Sequence, residues 1–220
     1  MARPREFDVD DVARKILFLF WRNGYEATSL SDIEEATGIR RMSLYNVFGD
    51  KEGLFQFVLE RYIDATKRLY QKHLRNGGIA DLESLVDAYT KPERLGAAAA
   101  WGCLMLNAII AADGVNSKAR RTIESFRLYA IDQIEAALLR AAEQGEIEPS
   151  LNFREMAEFI LITMWGAKAA IRHAGSTAAG APVSRMLPQI LRGLHVSPRR
   201  VSARTPIRQR PAQGSGKKRA

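Results

Sequence analysis

The stretch that decides the fold is Asp32-Ile-Glu-Glu-Ala-Thr-Gly-Ile-Arg-Arg-Met-Ser-Leu-Tyr-Asn-Val-Phe48. Ile33 marks the apolar face of a short helix, and Gly38 can adopt the positive φ that ends such a helix. Leu44 and Phe48, four residues apart, then give a second short helix one apolar face. Two short helices joined by a corner predict a helix-turn-helix whose second helix spans Arg41–Phe48.

The opposite face of this second helix carries side chains suited to reading DNA. It holds an arginine, a serine, a tyrosine and an asparagine, and it holds no acid. Arginine can donate two hydrogen bonds to guanine and asparagine can pair with adenine in the major groove, while hydroxyl groups reach phosphates. The sequence therefore predicts a recognition helix that presents Arg41, Met42, Ser43, Tyr45 and Asn46.

Polar residues on either side of the helix pair could hold the DNA backbone. Ser29 and Asp32 have the spacing of a capping box, and Thr28 and Ser29 also offer hydroxyl and N–H groups to a phosphate at a helix start. A capping role alone explains these two residues equally well. Lys51 begins the next predicted helix and is well placed for a phosphate, the alternative being an ordinary solvated charge.

Three segments near the N-terminus form a specific pattern. They are Gly24-Tyr-Glu-Ala-Thr-Ser-Leu30, Gly38-Ile39 and Ser43-Leu-Tyr-Asn-Val-Phe-Gly-Asp-Lys-Glu52. Over residues 8–60 this pattern resembles the DNA-binding head of the TetR/AcrR family. The resemblance implies an all-helical dimer, usually a repressor, whose larger C-terminal domain binds a small molecule that releases the DNA. In such proteins the residues that match Thr28, Arg41, Ser43, Tyr45, Asn46 and Lys51 commonly contact DNA.

The corner before the recognition helix departs from the family pattern. Many members carry a small polar residue that caps the helix where this chain has Arg40, and Gly or Pro where it has Met42. Arg40 cannot cap, so it is either a further phosphate contact or a solvated charge. Met42 could touch a thymine methyl group or simply be tolerated. Both residues are candidates for DNA contact.

The net charge of +8 is concentrated at the C-terminus. Residues 196–220 hold eight Lys/Arg and no acid, which leaves 25 of the 33 basic residues against all 25 acidic ones in the rest of the chain. Residues 1–50 are slightly acidic, with seven Lys/Arg and nine Asp/Glu. DNA binding by this head must therefore depend on where charges point. The tail should be disordered, and it either attracts phosphates nonspecifically or is dispensable.

Apolar periodicity predicts an all-α chain of about nine helices. Its parts are a three-helix head (1–50), a helical effector-binding and dimerisation domain (51–195, with helix 51–75 as the link) and the basic tail (196–220). Asp81 is expected to cap one helix of the body. The uncharged run 95–112 is expected to form a corner between buried helices, because its alanines and glycines make it weakly apolar for a membrane span.

The last two predicted helices, 152–173 and 182–195, are apolar on more than one face and need partners on both sides. The family resemblance places the homodimer interface there, as a four-helix bundle, and two-fold symmetry then pairs two recognition helices on a palindromic double-stranded operator. Pro188 lacks an N–H group, so the last helix should kink there or begin only near Leu187.

An effector pocket is expected from the family resemblance. Bulky and polarizable side chains are its candidates: Trp101, Cys103, Met105, Asn107, Phe126, Tyr129, Met164 and Trp165. Each alone is more typical of a core residue. Nothing among them indicates a charged ligand, so an apolar or aromatic effector is expected.

Cys103, the only cysteine, supports a second hypothesis in which an oxidant or electrophile is sensed through its thiol. A reactive thiol needs a nearby cation or helix N-terminus, and the nearest cation in sequence is Arg94. A small buried apolar role is the alternative.

Other function classes find little support in the sequence. The three histidines lack metal-ligand spacing, and no phosphate loop or catalytic set is present, so neither an enzyme nor a cofactor is expected. A single cysteine and no N-terminal signal pattern fit a cytoplasmic protein that joins the nucleoid when bound to DNA. A helical small-molecule binding protein without specific DNA recognition is the competing class.

Overall fold

The computed structural model describes residues 7–91, 93–111 and 116–194, so the predicted basic tail lies outside the described residues. The described part is helical throughout, and it confirms the expected all-α fold. Its helices are α1 (Val9–Asn23), α2 (Leu30–Thr37), α3 (Arg41–Phe48), α4 (Lys51–His73), α5 (Ile79–Thr90), α6 (Leu104–Ile110), α7 (Ser117–Glu143), α8 (Phe153–Ala174) and α9 (Ala181–Gly193), with 3-10 segments at Glu93–Trp101 and Thr177–Gly180.

Side-chain caps set where several of the helices begin. The Asp8 carboxylate accepts hydrogen bonds from the N–H groups of Asp10 and Asp11 at the start of α1. Ser29 and Asp32 form the predicted capping box, in which each side chain accepts from the backbone N–H of the other. These bonds satisfy N–H groups that have no partner within the helix. The local sequence therefore determines these helix starts.

Two boundaries differ from expectation. Asp81 does not cap α5, because the helix begins at Ile79 and the Asp81 carboxylate accepts instead from the N–H groups of Asn76 and Gly77 in the preceding turn. The last helix runs from Ala181 to Gly193, close to the predicted 182–195, with Pro188 inside it, so the alternative start near Leu187 is wrong. In both cases packing and loop contacts outweighed the local signal, and Pro188 is buried where it stands.

Helix α4 connects the head to the body. Its first half buries Leu54 and Phe55 against the head, and its second half buries Tyr70 in the body, where the ring lies 5.9 Å from that of Phe126. Helix α4 packs against α1 and α3 on the head side and against α5 and α7 on the body side. One continuous helix of 23 residues therefore belongs to both cores.

A second connection joins the end of α1 to α8. Arg172 on α8 donates hydrogen bonds to the backbone carbonyls of Trp21 and Arg22, at 3.3 and 2.9 Å. The Trp101 ring lies edge-on to the rings of Phe18 and Trp21, at centroid distances of 5.9 and 6.0 Å. The last carbonyls of a helix lack intrahelical partners, so Arg172 satisfies groups that α1 leaves open. The C-terminal end of α8 is thus hydrogen-bonded to the C-terminal end of α1.

The uncharged run 95–112 forms most of a 3-10 segment followed by the short helix α6, as far as the described residues extend. Cys103, Leu104 and Met105 within it are buried against the body. In the part of the chain that the structure describes, no helix combines the length and apolarity that crossing a membrane requires.

The close approach of the turn between α4 and α5 to helix α7 predicts the effect of a substitution at Gly77. Gly77 has φ +74°, and a Cβ built there would lie 2.6 Å from the Cβ of Arg140 on α7. Gly145 has almost the same backbone conformation, φ +75°, with nothing within 4 Å of its Cβ position. Both Gly→Ala changes should cost about 1 kcal/mol for the positive φ, and Gly77→Ala should cost about 1–3 kcal/mol more because α7 must shift.

Urea unfolding of the two variants beside the wild type measures this difference. Equal free energies of unfolding for Gly77→Ala and Gly145→Ala would contradict the close approach of the turn to α7.

Candidate DNA-binding site

The two helices of the head are held by a small set of buried side chains. Ile33 on α2 and Leu44 on α3 are fully buried, and the half-buried Phe48 packs with its ring 5.0 Å from that of Phe57 on α4. Gly38 ends α2 with φ +73° and donates its N–H to the carbonyl of Glu34. The predicted helix-turn-helix is therefore present, and its second helix spans the predicted residues 41–48.

The outward face of α3 presents most of the predicted reading residues. Arg41, Met42 and Asn46 are exposed, Met42 at 73% of its maximum, while Ser43 and Tyr45 are half-buried. These five residues therefore share one accessible surface. Val47 is also exposed, and it was not among the predicted reading residues. Its place next to Asn46 in the sequence was the signal that could have indicated it.

Thr28 is buried just before the start of α2. Its side chain is fully buried, and its hydroxyl donates a 2.7 Å hydrogen bond to the carbonyl of Gly24. In this conformation the hydroxyl faces the head and not a phosphate. Ser29 is exposed, but its hydroxyl and N–H both donate to the Asp32 carboxylate. The capping interpretation thus describes Ser29, whereas the Thr28 hydroxyl is bonded to the end of α1.

The recognition helix takes its cap from a residue that the sequence analysis missed. Arg40 occupies the N-cap position without any side-chain hydrogen bond, as its chemistry predicts. The carboxylate of Glu34, on α2, instead accepts a hydrogen bond from the N–H of Arg41. An anion at a helix start also interacts favourably with the helix dipole. Glu34 lies seven residues before Arg41, beyond the reach of local capping patterns.

Lys51 stands at the start of α4, next to the head surface. Its ammonium lies 4.5 Å from the centre of the Tyr25 ring and 3.5 Å from the carbonyl oxygen of Glu26. Burial raises the pKa of the Tyr25 hydroxyl to about 12, and the carboxylates of Glu52 and Glu26 act in the same direction. The Tyr25 side chain therefore stays neutral at physiological pH, and its ring makes a cation-π contact with the Lys51 ammonium.

The predicted effector-pocket residues are not gathered around one described cavity. Cys103, Met105, Phe126 and Met164 are buried in the packed core, whereas Tyr129 and Trp165 are half-buried. Asn107 donates to the carbonyl of Trp101 at 2.8 Å and borders a cavity of only about 20 Å³. Trp101 alone among them lines a larger cleft, of about 500 Å³.

The cation beside Cys103 is Lys168 of α8, which sequence spacing could not reveal; the side chain of Arg94 lies outside the described part of the structure. Lys168 is only 5% exposed, and its ammonium lies 4.9 Å from the centre of the Tyr89 ring. Burial lowers the pKa of Lys168, while interaction with Cys103 opposes that shift. Burial also raises the pKa of Tyr62 and Tyr89, with Cys103 as the next cause for both.

The cap on α3 predicts the effect of one substitution. Glu34→Ala should destabilise the head by about 0.5–2 kcal/mol, because the N–H of Arg41 at the start of the recognition helix loses its acceptor. Glu35→Ala is the matched control, since Glu35 is exposed and makes no hydrogen bond or ion pair with the described residues. Chemical denaturation followed by circular dichroism compares the two, and equal stabilities would refute the role of Glu34.

Family models and relatives agree with this geometry. Residues 11–58 match the bacterial regulatory proteins of the tetR family, and residues 78–187 match the tetracyclin repressor-like C-terminal domain. The HTH-type transcriptional repressor ComR of Escherichia coli is 31% identical over 182 residues, which cover 80% of this chain and 84% of ComR. The uncharacterized regulator YezE of Bacillus subtilis is 31% identical over 153 residues, 67% of this chain and 76% of YezE.

Solved structures show the same fold. A TetR-family regulator from Agrobacterium tumefaciens superimposes with a TM-score of 0.73 at 20% identity, covering 84% of this chain and 99% of that one. A cysteine mutant of the regulator CifR, in complex with a 26-base-pair operator DNA, gives 0.72 at 23% identity, covering 86% and 100%. The family models and the identity to ComR, on a helix-turn-helix of this geometry, show that the chain belongs to the TetR family of DNA-binding transcriptional regulators.

Proposed function

We propose that this protein is a repressor that binds a palindromic operator as a homodimer and leaves it when a small molecule binds the C-terminal domain. The observation that carries the proposal is the outward face of α3, which is accessible, free of acid and fixed to the head by the buried Leu44. The repressor ComR and the operator complex of CifR support it by likeness.

Within the major groove, Arg41 and Asn46 are the proposed base readers, and the exposed Met42 is suited to a thymine methyl group. Ser43 and Tyr45, half-buried at the edge of the same face, are suited to phosphates. Arg40 and Lys51 are proposed to add phosphate contacts at the two ends of the surface. Ser29 stays a candidate for a phosphate contact, because it caps the start of α2, where N–H groups can bind an anion. The buried Thr28 is proposed to stabilise the fold of the head and not to contact DNA.

Exposed apolar side chains on α8 and α9 support the proposed dimer. They are Phe159 and Ile162 on α8, which lie three residues apart, and Met186 and Ile190 on α9, which lie four apart. The two helices pack against each other, so their exposed faces can meet the same two helices of a second subunit. Burying Ile162, 67% exposed in the single chain, would remove a large apolar group from water.

Unsatisfied polar groups support ligand binding inside the body. The hydroxyl group of Tyr70 and the indole N–H of Trp165 are buried without a hydrogen-bond partner among the described residues. Such groups are costly unless something satisfies them. We propose that an aromatic effector with a hydrogen-bonding group enters among the predicted pocket residues, repacks them and so moves the head through α4.

A second candidate is release by chemical modification of Cys103. The observation that favours it is Lys168, a buried cation that interacts with the thiol from the neighbouring helix α8. An electrophile that adds to Cys103 would place a bulky group in a fully packed region of the body, where added volume forces neighbouring helices apart.

Binding to the chain's own upstream DNA, measured by fluorescence anisotropy, tests the first proposal. Arg41→Ala should weaken specific binding by about 1–3 kcal/mol, because a bidentate base contact is lost. Arg68→Ala on α4 is the charge-matched control, since Arg68 is exposed and unpaired among the described residues. Unchanged specific affinity in Arg41→Ala would contradict the recognition surface. Absence of specific binding by the wild type would favour a ligand-binding protein without DNA recognition.

The dimer proposal predicts a change of oligomeric state. Ile162→Asp should convert the dimer to monomers, because a carboxylate would lose its hydration at the centre of the interface. Leu128→Asp on α7, at a residue that is 42% exposed, places the same charge on an apolar residue outside the proposed face. Sedimentation velocity distinguishes the two, and a dimeric Ile162→Asp protein would place the interface elsewhere.

The thiol candidate is tested with N-ethylmaleimide, which can label only Cys103 by thiol chemistry because the chain has one cysteine. The wild type should lose operator binding in step with labelling measured by mass spectrometry, while Cys103→Ser should retain it. Release of Cys103→Ser at the wild-type rate would end the thiol hypothesis without affecting the DNA-binding proposal.

A further inference from the structure

A cleft of about 500 Å³ lies where the head meets the body. Three separate elements form it: the end of α1 through Arg22, the 3-10 segment through Ala97, Ala100 and Trp101, and the end of α8 through Arg172 and Gly175. Its volume is within the range of small-molecule sites, about 300–1,000 Å³. It is distinct from the packed interior around Cys103 and Phe126.

The chemistry of the walls is cationic and aromatic. Among the described residues that line it, two carry guanidinium groups, one an indole, the rest are alanine or glycine, and none is acidic. Arg22 forms no hydrogen bond or ion pair through its side chain with the described residues. Arg172 uses one N–H of each terminal nitrogen on the carbonyls of Trp21 and Arg22, and a guanidinium carries five such donors. Donors for an anion therefore remain on both arginines.

We infer that this cleft binds a small aromatic carboxylate. A planar carboxylate matches the fork of a guanidinium, and charge-assisted hydrogen bonds of this kind are stronger than neutral ones. The Trp101 indole and the alanine methyl groups offer an apolar surface to the ring that bears it. A cationic ligand would be repelled by both arginines, and a neutral one would leave their donors unused.

The position of the cleft gives its ligand a route to the DNA-binding head. Arg22 belongs to α1 of the head, whereas Arg172 belongs to α8 of the body. The affinity of a ligand that contacts both arginines depends on the position of the head relative to the body. By linkage, binding of the ligand then favours the relative position to which it binds more tightly. A carboxylate also competes with the Trp21 and Arg22 carbonyls for Arg172, and so loosens the hold of α8 on α1.

This inference rests on the proposed function only for its effect on DNA, so binding is measured first without DNA. Isothermal titration of the full chain compares 1-naphthoate with 1-naphthamide, which has the same rings and no charge. Naphthoate should bind at least about tenfold more tightly, the size expected when a charge-assisted hydrogen bond is lost. NMR transfer of magnetisation from the naphthoate ring to the Trp101 indole locates the site.

Two variants separate the cleft from general charge attraction. Arg22→Gln should weaken naphthoate binding about tenfold, whereas Arg68→Gln, which removes another exposed arginine, on α4, should leave it unchanged. Equal affinity for naphthoate and naphthamide, equal weakening by the two variants, or no binding of naphthoate at millimolar concentration would each overturn the inference.

Operator binding is then measured with and without naphthoate. Weaker DNA binding by the wild type, but not by Arg22→Gln, supports the route through α1. Normal DNA binding without any naphthoate binding would reject the cleft and leave the proposed repressor intact. Naphthoate binding by a chain that does not bind its operator would reject the proposed repressor and leave the ligand site in the cleft intact.

Discussion

The structure depends on the burial of α4 in two cores at once. Leu54 and Phe55 fill the head and Tyr70 fills the body, so neither part can bury its apolar surface without the same helix. Polar contacts reinforce this arrangement, since Gln56 on α4 donates to the Thr122 hydroxyl on α7 at 3.0 Å. The head and the body therefore share one helix as a common part of their cores.

The sequence predicts local structure well where the signal is local. Ser29 and Asp32 form the capping box that their spacing indicates, and Gly38 ends α2 as expected. The outward face of α3 follows directly from the buried Leu44, because helical period assigns the opposite residues to solvent. Family resemblance added the dimer and the effector, which periodicity alone does not indicate.

The contacts that the sequence could not predict join residues far apart in the chain. Arg172 reaches Trp21 across 151 positions, and Lys168 meets Cys103 only because α8 packs beside the segment before α6. Amphipathic patterns say which face of a helix is buried, but they do not say which helix covers it. Asp81 shows the same limit, since its strong capping chemistry serves the preceding turn instead.

The Glu34 cap has a consequence for how such a regulator can diverge. In a head whose recognition helix is capped by its own first residue, that position must stay small and polar for the helix to be stable. Here Glu34 on α2 supplies the acceptor, so the side chain at position 40 does not have to cap the helix. The Arg40 side chain can therefore face the DNA backbone. The side chain at position 40 can therefore change with the operator at little cost to the stability of the recognition helix.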